Sequence, residues 1–149
     1  MISILSFKTS LGWITLKESN QKLVSVKFGK KTNKGKSKYL IKVKNQIINF
    51  SCRKLKKFNL HINLDGSTLQ KKIWKELQKI PYGKTKTYGE IAKTLNTSPR
   101  YVGNVCGQNN HLLVIPCHRV VRSDGLLGGF SGLGGIKLKN KLIKMEDND

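Results

Sequence analysis

The segment TKTYGEIAKTLNTSPRYVGNVCGQN, residues 85–109, predicts two short helices joined by a tight turn. Ile91, Ala92 and Leu95 recur at the spacing of one helix face, so the first helix has an apolar side. Asn96-Thr97 follows as a pair of turn residues. Because alanine is small, the two helices can approach each other closely. The arrangement is typical of a helix-turn-helix.

The second helix of this pair carries polar side chains that could reach DNA. Ser98 can cap its first turn, and Pro99 suits its first position. The residues expected to face inward are Val102, Val105 and Cys106, and those expected to face outward are Arg100, Tyr101 and Asn104. Helix pairs of this kind also occur in cores that never touch DNA, so the motif alone leaves both interpretations open.

The charge of the chain favours a polyanionic partner. Its 149 residues include 29 Lys and Arg but 8 Asp and Glu, a net charge of +21. Such a field attracts nucleic acid first and an anionic membrane surface second, although lysine also serves simply as a soluble surface residue. With the helix-turn-helix, the charge favours contact with DNA.

Several kinds of protein are disfavoured by what the sequence lacks. No apolar run approaches the roughly 18 residues of a membrane-spanning helix, and the N-terminus has no signal-peptide pattern. Cys52, Cys106 and Cys117 form neither an even set nor a CxxC pair. We therefore expect a soluble cytoplasmic protein in a reducing compartment, without a zinc site and without membrane contact.

Hydrophobic patterning predicts an α+β chain with a boundary near residue 64. Residues 2–28 read as three short strands separated by turns. Residues 39–50 fit a helix or a strand equally well. Ser67 and Gln70 form a capping box that begins a helix, and mainly helical patterns follow it. This predicts a β-rich N-terminal lobe over residues 1–64 and a helical C-terminal lobe over residues 65–149.

The stretch IPCHRV, residues 115–120, places a thiol beside an imidazole. A reactive cysteine needs a nearby cation, base or helix N-terminus, and both His118 and Arg119 follow Cys117. Adjacent side chains of a strand point to opposite faces, so pairing of Cys117 with His118 requires a tight turn or a bridging water. A buried, unreactive thiol is the alternative.

A carboxylate near the C-terminus could complete this group. An apolar stripe predicts a C-terminal helix, and Glu146 lies four residues after Leu142, on or beside the core-facing side. A surface glutamate in a frayed tail is the alternative. If Glu146 orients His118, a thiolate beside a protonated imidazole is expected at neutral pH.

Four blocks of the sequence together resemble the O6-alkylguanine-DNA alkyltransferases. They are TSLGWITLKESNQKLVSVKFG, LQKKIWKELQKIPYGKTKTYGEIAK, SPRYVGNVCGQNN and IPCHRVVRSDGLLGGFSG, of which the core PCHRV is the most specific. The resemblance covers nearly the whole chain. It implies an RNase H-like N-terminal lobe and a winged-helix-type C-terminal lobe.

The resemblance also implies roles for individual residues. Cys117 is similar to the alkyl acceptor, and His118 to the group that activates it through water. Glu146 resembles the glutamate that orients the histidine, and Tyr88 the tyrosine that assists the departing guanine. Asn109 resembles the asparagine that joins the recognition helix to the active-site segment.

Further positions match the family's contacts to DNA and to the target base. Arg100 is similar to the arginine that enters the base stack when the target nucleotide flips out. Ser98, Tyr101 and Asn104 of the helix-turn-helix are predicted to contact DNA beside it. Val120 matches a residue whose carbonyl reads the base edge, and Phe130 and Ser131 match the pocket loop. Phe130 stands where a tyrosine is frequent, and the stretch from Phe130 to Glu146 is longer than the common pattern.

The implied activity is direct repair of DNA. A monomer would transfer the alkyl group of O6-alkylguanine, and of O4-alkylthymine, in double-stranded DNA irreversibly to its own cysteine. No cofactor or metal is implied. Two other classes stay open: a DNA-binding module without transfer chemistry, and a cysteine hydrolase on an unrelated fold that turns over an acyl substrate.

Overall fold

The computed structural model describes residues 1–129 and 135–147, and its fold is α+β as predicted. The chain divides into two compact units. The first consists of Met1–Asn63 and Asn110–Leu112, and the second of Leu64–Asn109 and Leu113–Asp149. The sequence did not indicate that a three-residue segment near the middle of the second lobe joins the first unit.

A three-stranded antiparallel sheet forms the first unit, in the order β1-β2-β3. Its strands are β1 (Ile2–Thr9), β2 (Gly12–Ser19) and β3 (Lys22–Phe28), which confirms the three predicted strands. Asn20 and Gln21 connect β2 to β3 with φ values of 52° and 59°. Positive φ at both central residues is the geometry of a type I′ hairpin turn, whose twist matches that of the strands.

The stretch that the pattern left ambiguous is a helix, α1 (Lys38–Ser51). The Ser37 hydroxyl caps it by accepting a hydrogen bond from the Leu40 amide. The buried side of the helix packs on β1 and β2 and consists of Leu40, Val43, Ile47 and Phe50. These residues meet the inner face of the sheet, which carries Phe7, Ile14, Leu16 and Val26. The core of the first unit lies between these two layers.

The segment Asn110–Leu112 joins the first unit through backbone hydrogen bonds to β3. The Val26 amide donates to the Asn110 carbonyl at 2.8 Å, and the Leu112 amide donates to the Val26 carbonyl at 3.2 Å. The His111 Nε2 lies 2.9 Å from the Leu23 carbonyl oxygen. These contacts satisfy polar groups at the edge of the sheet that would otherwise lack partners.

The second unit is mainly helical. Its elements are α2 (Thr68–Gln78), β4 (Lys86–Thr87), α3 (Tyr88–Leu95), α4 (Pro99–Gly107), a 3₁₀ helix (Cys117–Arg119), β5 (Val120–Val121) and α5 (Gly135–Asp147). The predicted capping box of Ser67 and Gln70 is present at the start of α2. The short strands β4 and β5 pair in parallel. Within the described ranges, every helix is too short or too polar to cross a membrane.

The predicted helix pair is present as α3 and α4. Asn96 ends α3 in the left-handed conformation with φ 55°, which asparagine tolerates better than most residues. The Ser98 hydroxyl caps α4 by accepting from the Tyr101 amide, and Pro99 occupies its first turn. Val102, Val105 and Cys106 are buried, as expected. The sequence therefore predicted both the helices and their inward side.

Candidate active site

Cys117 lies in a tight turn, which is one of the two arrangements expected to allow its pairing with His118. The 3₁₀ helix starts at Cys117 directly after Pro116, and the Arg119 amide donates to the Pro116 carbonyl at 3.0 Å. The thiol side chain is buried, at 4% exposure. Because every residue from His111 to Val120 is buried, the segment is held on all sides and the thiol has a fixed position.

Asn109 fixes this segment to the end of α4. Its Nδ2 donates to the Ile115 carbonyl at 2.9 Å and to the Cys117 Sγ at 3.3 Å. One side chain thus holds both the backbone before the thiol and the sulfur itself. A donor at this distance also stabilises negative charge that develops on sulfur.

His118, Arg119 and Glu146 form a buried group around one carboxylate. His118 Nε2 lies 2.7 Å from Glu146 Oε2. Arg119 donates to both carboxylate oxygens, from Nε at 2.8 Å and from Nη2 at 3.0 Å. Its Nη1 donates to the Ile80 carbonyl at 2.8 Å. The Gly83 amide also donates to Glu146 Oε1 at 3.4 Å, so Glu146 is a core residue with three partners, and the surface alternative is wrong.

This geometry determines which nitrogen of His118 can act as a base. Burial alone would raise the pKa of Glu146, but hydrogen bonds from His118 and Arg119 outweigh it and lower the pKa to about 2. An ionised carboxylate accepts the proton of Nε2–H, which leaves the lone pair on Nδ1. Nδ1 is buried and has no hydrogen-bond partner among the described residues. It can therefore accept a proton through a bridging water.

The charge state at rest differs from the sequence expectation. Burial raises the pKa of the Cys117 thiol, and the Asn109 hydrogen bond and the Lys139 charge offset only part of this effect. Burial also lowers the pKa of His118 despite its bond to Glu146. Both shifts favour a neutral thiol beside a neutral imidazole at pH 7. These shifts do not support the thiolate that the sequence led us to expect at rest. The sequence did not show how completely Cys117 and His118 are buried.

Sequence reasoning missed Lys139, a fully buried lysine on α5. Its Nζ donates to the Tyr88 hydroxyl oxygen at 3.2 Å and to the Gly129 carbonyl at 3.1 Å. Burial lowers the pKa of Lys139, while the nearby thiols Cys117 and Cys106 act in the opposite direction. Burial raises the pKa of Tyr88 to about 12. The sequence feature that could have identified Lys139 was its position seven residues before Glu146, on the same side of the helix.

A cavity of about 450 Å³ opens in front of the thiol. Its lining residues are Tyr88, Gly103, Cys106, Gly107, Cys117, Arg122, Gly128 and Gly129. Gly128 has φ 75°, and a Cβ there would lie 2.9 Å from the Tyr88 hydroxyl oxygen, so only glycine fits. The volume is in the range of small-molecule sites. A flat ring could lie between the Gly128 backbone and the Cys117 sulfur.

The other residues predicted for the site lie on α4, at its N-cap, in β5 or outside the described residues. Arg100 and Asn104 are exposed on α4, and Tyr101 is half-buried. Ser98 uses its hydroxyl to cap α4. Val120 is buried in β5 opposite Lys86. Phe130 and Ser131 lie outside the described residues.

No cluster of three or more His, Cys, Asp or Glu side chains suited to a metal ion occurs in residues 1–129 and 135–147.

Comparisons with known proteins bear on this site. Residues 68–148 match the family described as 6-O-methylguanine DNA methyltransferase, DNA binding domain. A methylated-DNA–protein-cysteine methyltransferase of Sulfolobus acidocaldarius is 47% identical over 89 residues, which make up 60% of this chain and 56% of that protein. One from Methanosarcina mazei is 38% identical over 109 residues, or 72% of this chain and 68% of that protein.

The chain thus spans little more than half the length of the first relative and about two thirds of the second. Among solved structures, the crystal structure of Mycobacterium tuberculosis OGT in complex with DNA is similar with a TM-score of 0.85 at 28% identity. That similarity covers 97% of this chain and 93% of the other.

Proposed function

The chain belongs to the 6-O-methylguanine DNA methyltransferase family, and from this we propose that it repairs O6-alkylguanine in double-stranded DNA by moving the alkyl group to Cys117. The observation that carries the proposal is the Cys117 sulfur at the wall of a base-sized cavity, tied through Asn109 to the end of α4. O4-alkylthymine would be a second substrate of the same pocket.

We assign the architecture on the same basis. A three-stranded antiparallel sheet with α1 on one face supports an RNase H-like N-terminal lobe. The pair α3 and α4, with β4 beside β5, supports a winged-helix-type C-terminal lobe. The three free cysteines fit a monomer that works in the reducing cytoplasm.

Nucleotide flipping is the first step that the site must support. An alkyl group on guanine O6 lies inside the duplex, so the base has to leave the stack at a cost of roughly a few kcal/mol. Arg100 is exposed at the start of α4, where it can enter the vacated space and bond the unpaired partner base. The flipped base would then enter the cavity lined by Tyr88, Gly128 and Cys117.

Alkyl transfer follows as an in-line displacement. The Cys117 thiol loses its proton through water to Nδ1 of His118, and the resulting imidazolium is stabilised by Glu146. The Sγ–carbon bond forms while the carbon–O6 bond breaks, and the electron pair of that bond leaves with guanine. Tyr88 donates a proton to the guanine ring. Lys139, which donates to the Tyr88 oxygen, stabilises the phenolate that remains.

The product explains why one protein molecule would repair one lesion. The reaction ends with a thioether on Cys117. A thioether has no low-barrier hydrolytic route, whereas the thioester of a cysteine hydrolase does. The acceptor is therefore consumed.

Intact mass spectrometry after incubation with excess duplex containing O6-methylguanine tests the proposal. We expect a gain of one methyl group per chain, located on Cys117 by peptide mapping, and no gain for Cys117→Ala. Sustained turnover, or a label on Cys52 or Cys106, would contradict it. Tight binding of the damaged duplex without any mass change would favour a module without transfer chemistry.

A further inference from the structure

Positive charge is distributed unevenly along the chain. Residues 1–63 contain 15 of the 29 Lys and Arg residues but one of the 8 Asp and Glu residues, which gives this segment a net charge of +14. Residues 64–149 carry the remaining +7. Two thirds of the net charge therefore lies in the part of the chain that contains neither the helix-turn-helix nor the thiol. The proposed reaction gives this charge no role.

Strand register places three of these lysines on one face of the sheet. Lys8 pairs with Trp13, Lys27 with Thr15, and Lys17 with Ser25. Side chains alternate along each strand, so these residues point away from the face that packs on α1. Lys17 on β2 and Lys27 on β3 are diagonal neighbours, whose Cβ atoms lie about 7–8 Å apart, whereas Lys8 is on β1, on the other side of β2 from Lys27. The three lysines are therefore spread over all three strands of one face.

A fourth lysine joins the same face. Lys30 Nζ lies 4.6 Å from the centroid of the Trp13 ring, and Trp13 is the direct neighbour of Lys8. We call Lys8, Lys17, Lys27 and Lys30 the lysine face. Three of its members are exposed, and Lys17 is half-buried.

Residues 1–63 provide no carboxylate that neutralises the lysine face. Their one acidic residue, Glu18, is buried on the opposite side of β2, where it accepts a hydrogen bond from the Gln21 amide at 2.7 Å. No ion pair involves the lysine face within the described residues. Ordinary protein surfaces mix charges of both signs, so four like charges on one face without a carboxylate repel each other and favour a bound polyanion.

We propose that the lysine face binds the phosphate backbone of double-stranded DNA, independently of sequence and of damage. The choice of duplex DNA rests on the function proposed above, and the chemistry of the face fits it. Duplex DNA carries one charge per about 1.7 Å of helix axis, so a face about 10 Å wide meets several phosphates. Trp13 lies beneath Lys30 and is not free to stack on bases, which argues against a single-stranded ligand.

The salt dependence of DNA binding by the full chain tests this proposal. The variant K8Q/K17Q/K27Q removes three charges from the lysine face. The matched variant K42Q/K54Q/K57Q removes three charges from exposed lysines elsewhere in residues 1–63. Each is titrated with an undamaged duplex over a range of salt concentrations. We expect the slope of log K against log salt to fall by about 2–3 for the first variant and by less than about 1 for the second. Equal losses would overturn the proposal, because the effect would then be one of net charge alone.

Two controls separate this result from failure of the repair activity. Both variants should react with free O6-benzylguanine at the wild-type rate, since that reaction needs no DNA backbone. If the wild type does not react at all, the proposed function fails, while the salt slopes still decide the role of the lysine face. Loss of binding to phosphatidylglycerol–phosphatidylcholine vesicles, with unchanged DNA slopes, would overturn the proposal in favour of a membrane surface.

A labelling experiment covers the case in which the triple variant does not fold. The wild-type protein is acetylated with and without the undamaged duplex, and modified lysines are mapped by mass spectrometry. We expect the duplex to protect Lys8, Lys17 and Lys27 several-fold more than Lys42 and Lys54. Uniform protection, or protection only of residues in α3 and α4, would contradict a site on the sheet.

Discussion

Glu146 accepts hydrogen bonds from the side chains of both His118 and Arg119. Replacing Glu146 should therefore affect the stability of the fold as well as the chemistry of the site. Its pKa of about 2 in the folded protein lies below the ordinary 4.5, a difference that corresponds to about 3 kcal/mol. This stability is fully present above pH 4.5 and is lost as the pH falls toward 2. Glu146→Gln should also leave the Arg119 charge unpaired and lower the free energy of unfolding by about 3–5 kcal/mol at pH 7.

Urea unfolding at pH 7 and pH 3 measures both effects. The wild type should lose stability between the two values, and Glu146→Gln should lose much less because the group that titrates has gone. Glu90→Gln is the matched control, since Glu90 is exposed and glutamine preserves its capping box. Wild-type stability of Glu146→Gln at pH 7 would contradict a net stabilising contribution of the Glu146 carboxylate.

The charge of Lys139 lowers the pKa of the Cys117 thiol, and its Nζ donates a hydrogen bond to the Tyr88 hydroxyl oxygen. Lys139→Met keeps the length of the side chain but removes the charge, so the pKa of Cys117 should rise and Tyr88 should lose its hydrogen-bond donor. We expect alkyl transfer from O6-benzylguanine to slow roughly ten-fold, equivalent to about 1.4 kcal/mol, with the midpoint of the pH–rate profile moved upward. Lys144→Met, on the exposed side of the same helix, should change neither.

Stability should respond to Lys139→Met in the opposite direction. Burial lowers the pKa of Lys139, so the charged form costs folding free energy at neutral pH. The variant should therefore be at least as stable as the wild type while reacting more slowly. If rate and pH midpoint stay unchanged, Lys139 contributes to packing alone.

At the scale of elements, α4 is the helix that the proposed function places between the duplex and the Cys117 site. Arg100→Ala should slow repair of O6-methylguanine in duplex DNA roughly ten- to a hundred-fold, because the cost of flipping is no longer offset there. Reaction with free O6-benzylguanine should stay within about two-fold, since nothing is flipped. Lys93→Ala removes one exposed charge from α3 and serves as the control. Equal losses of Arg100→Ala on both substrates would show that the arginine does not enter the stack.

The same elements indicate what the sequence could predict. The three strands, the capping box and the helix pair follow from patterns within a dozen residues, which is the range over which propensity and capping act. Residues 39–50 stayed ambiguous because Leu40, Val43 and Ile47 suit either structure until the sheet beneath them is known. Lys139 bonds Tyr88 across 51 residues and Arg119 bonds Glu146 across 27, so neither partner could be found locally.

At the scale of the whole molecule, charge and chemistry occupy different parts of the chain. The segment with +14 lies before residue 64, and the thiol, the cavity and the helix pair lie after it. Electrostatic attraction of this kind is long-ranged but sensitive to salt, whereas the buried group around Glu146 is largely screened from ions. Ionic strength should therefore affect capture of DNA more than the reaction in the pocket.

The hydrogen bonds of Asn110–Leu112 to β3 have a consequence for how the chain can be divided. A cut after residue 63 yields two fragments, and the backbone partners of Val26 then belong to the one without the sheet. Neither fragment holds a complete set of native pairings. The two units are thus interleaved along the chain. A domain exchange at this boundary would therefore replace residues 110–112 together with the second unit, and β3 would have to bond the corresponding segment of another protein.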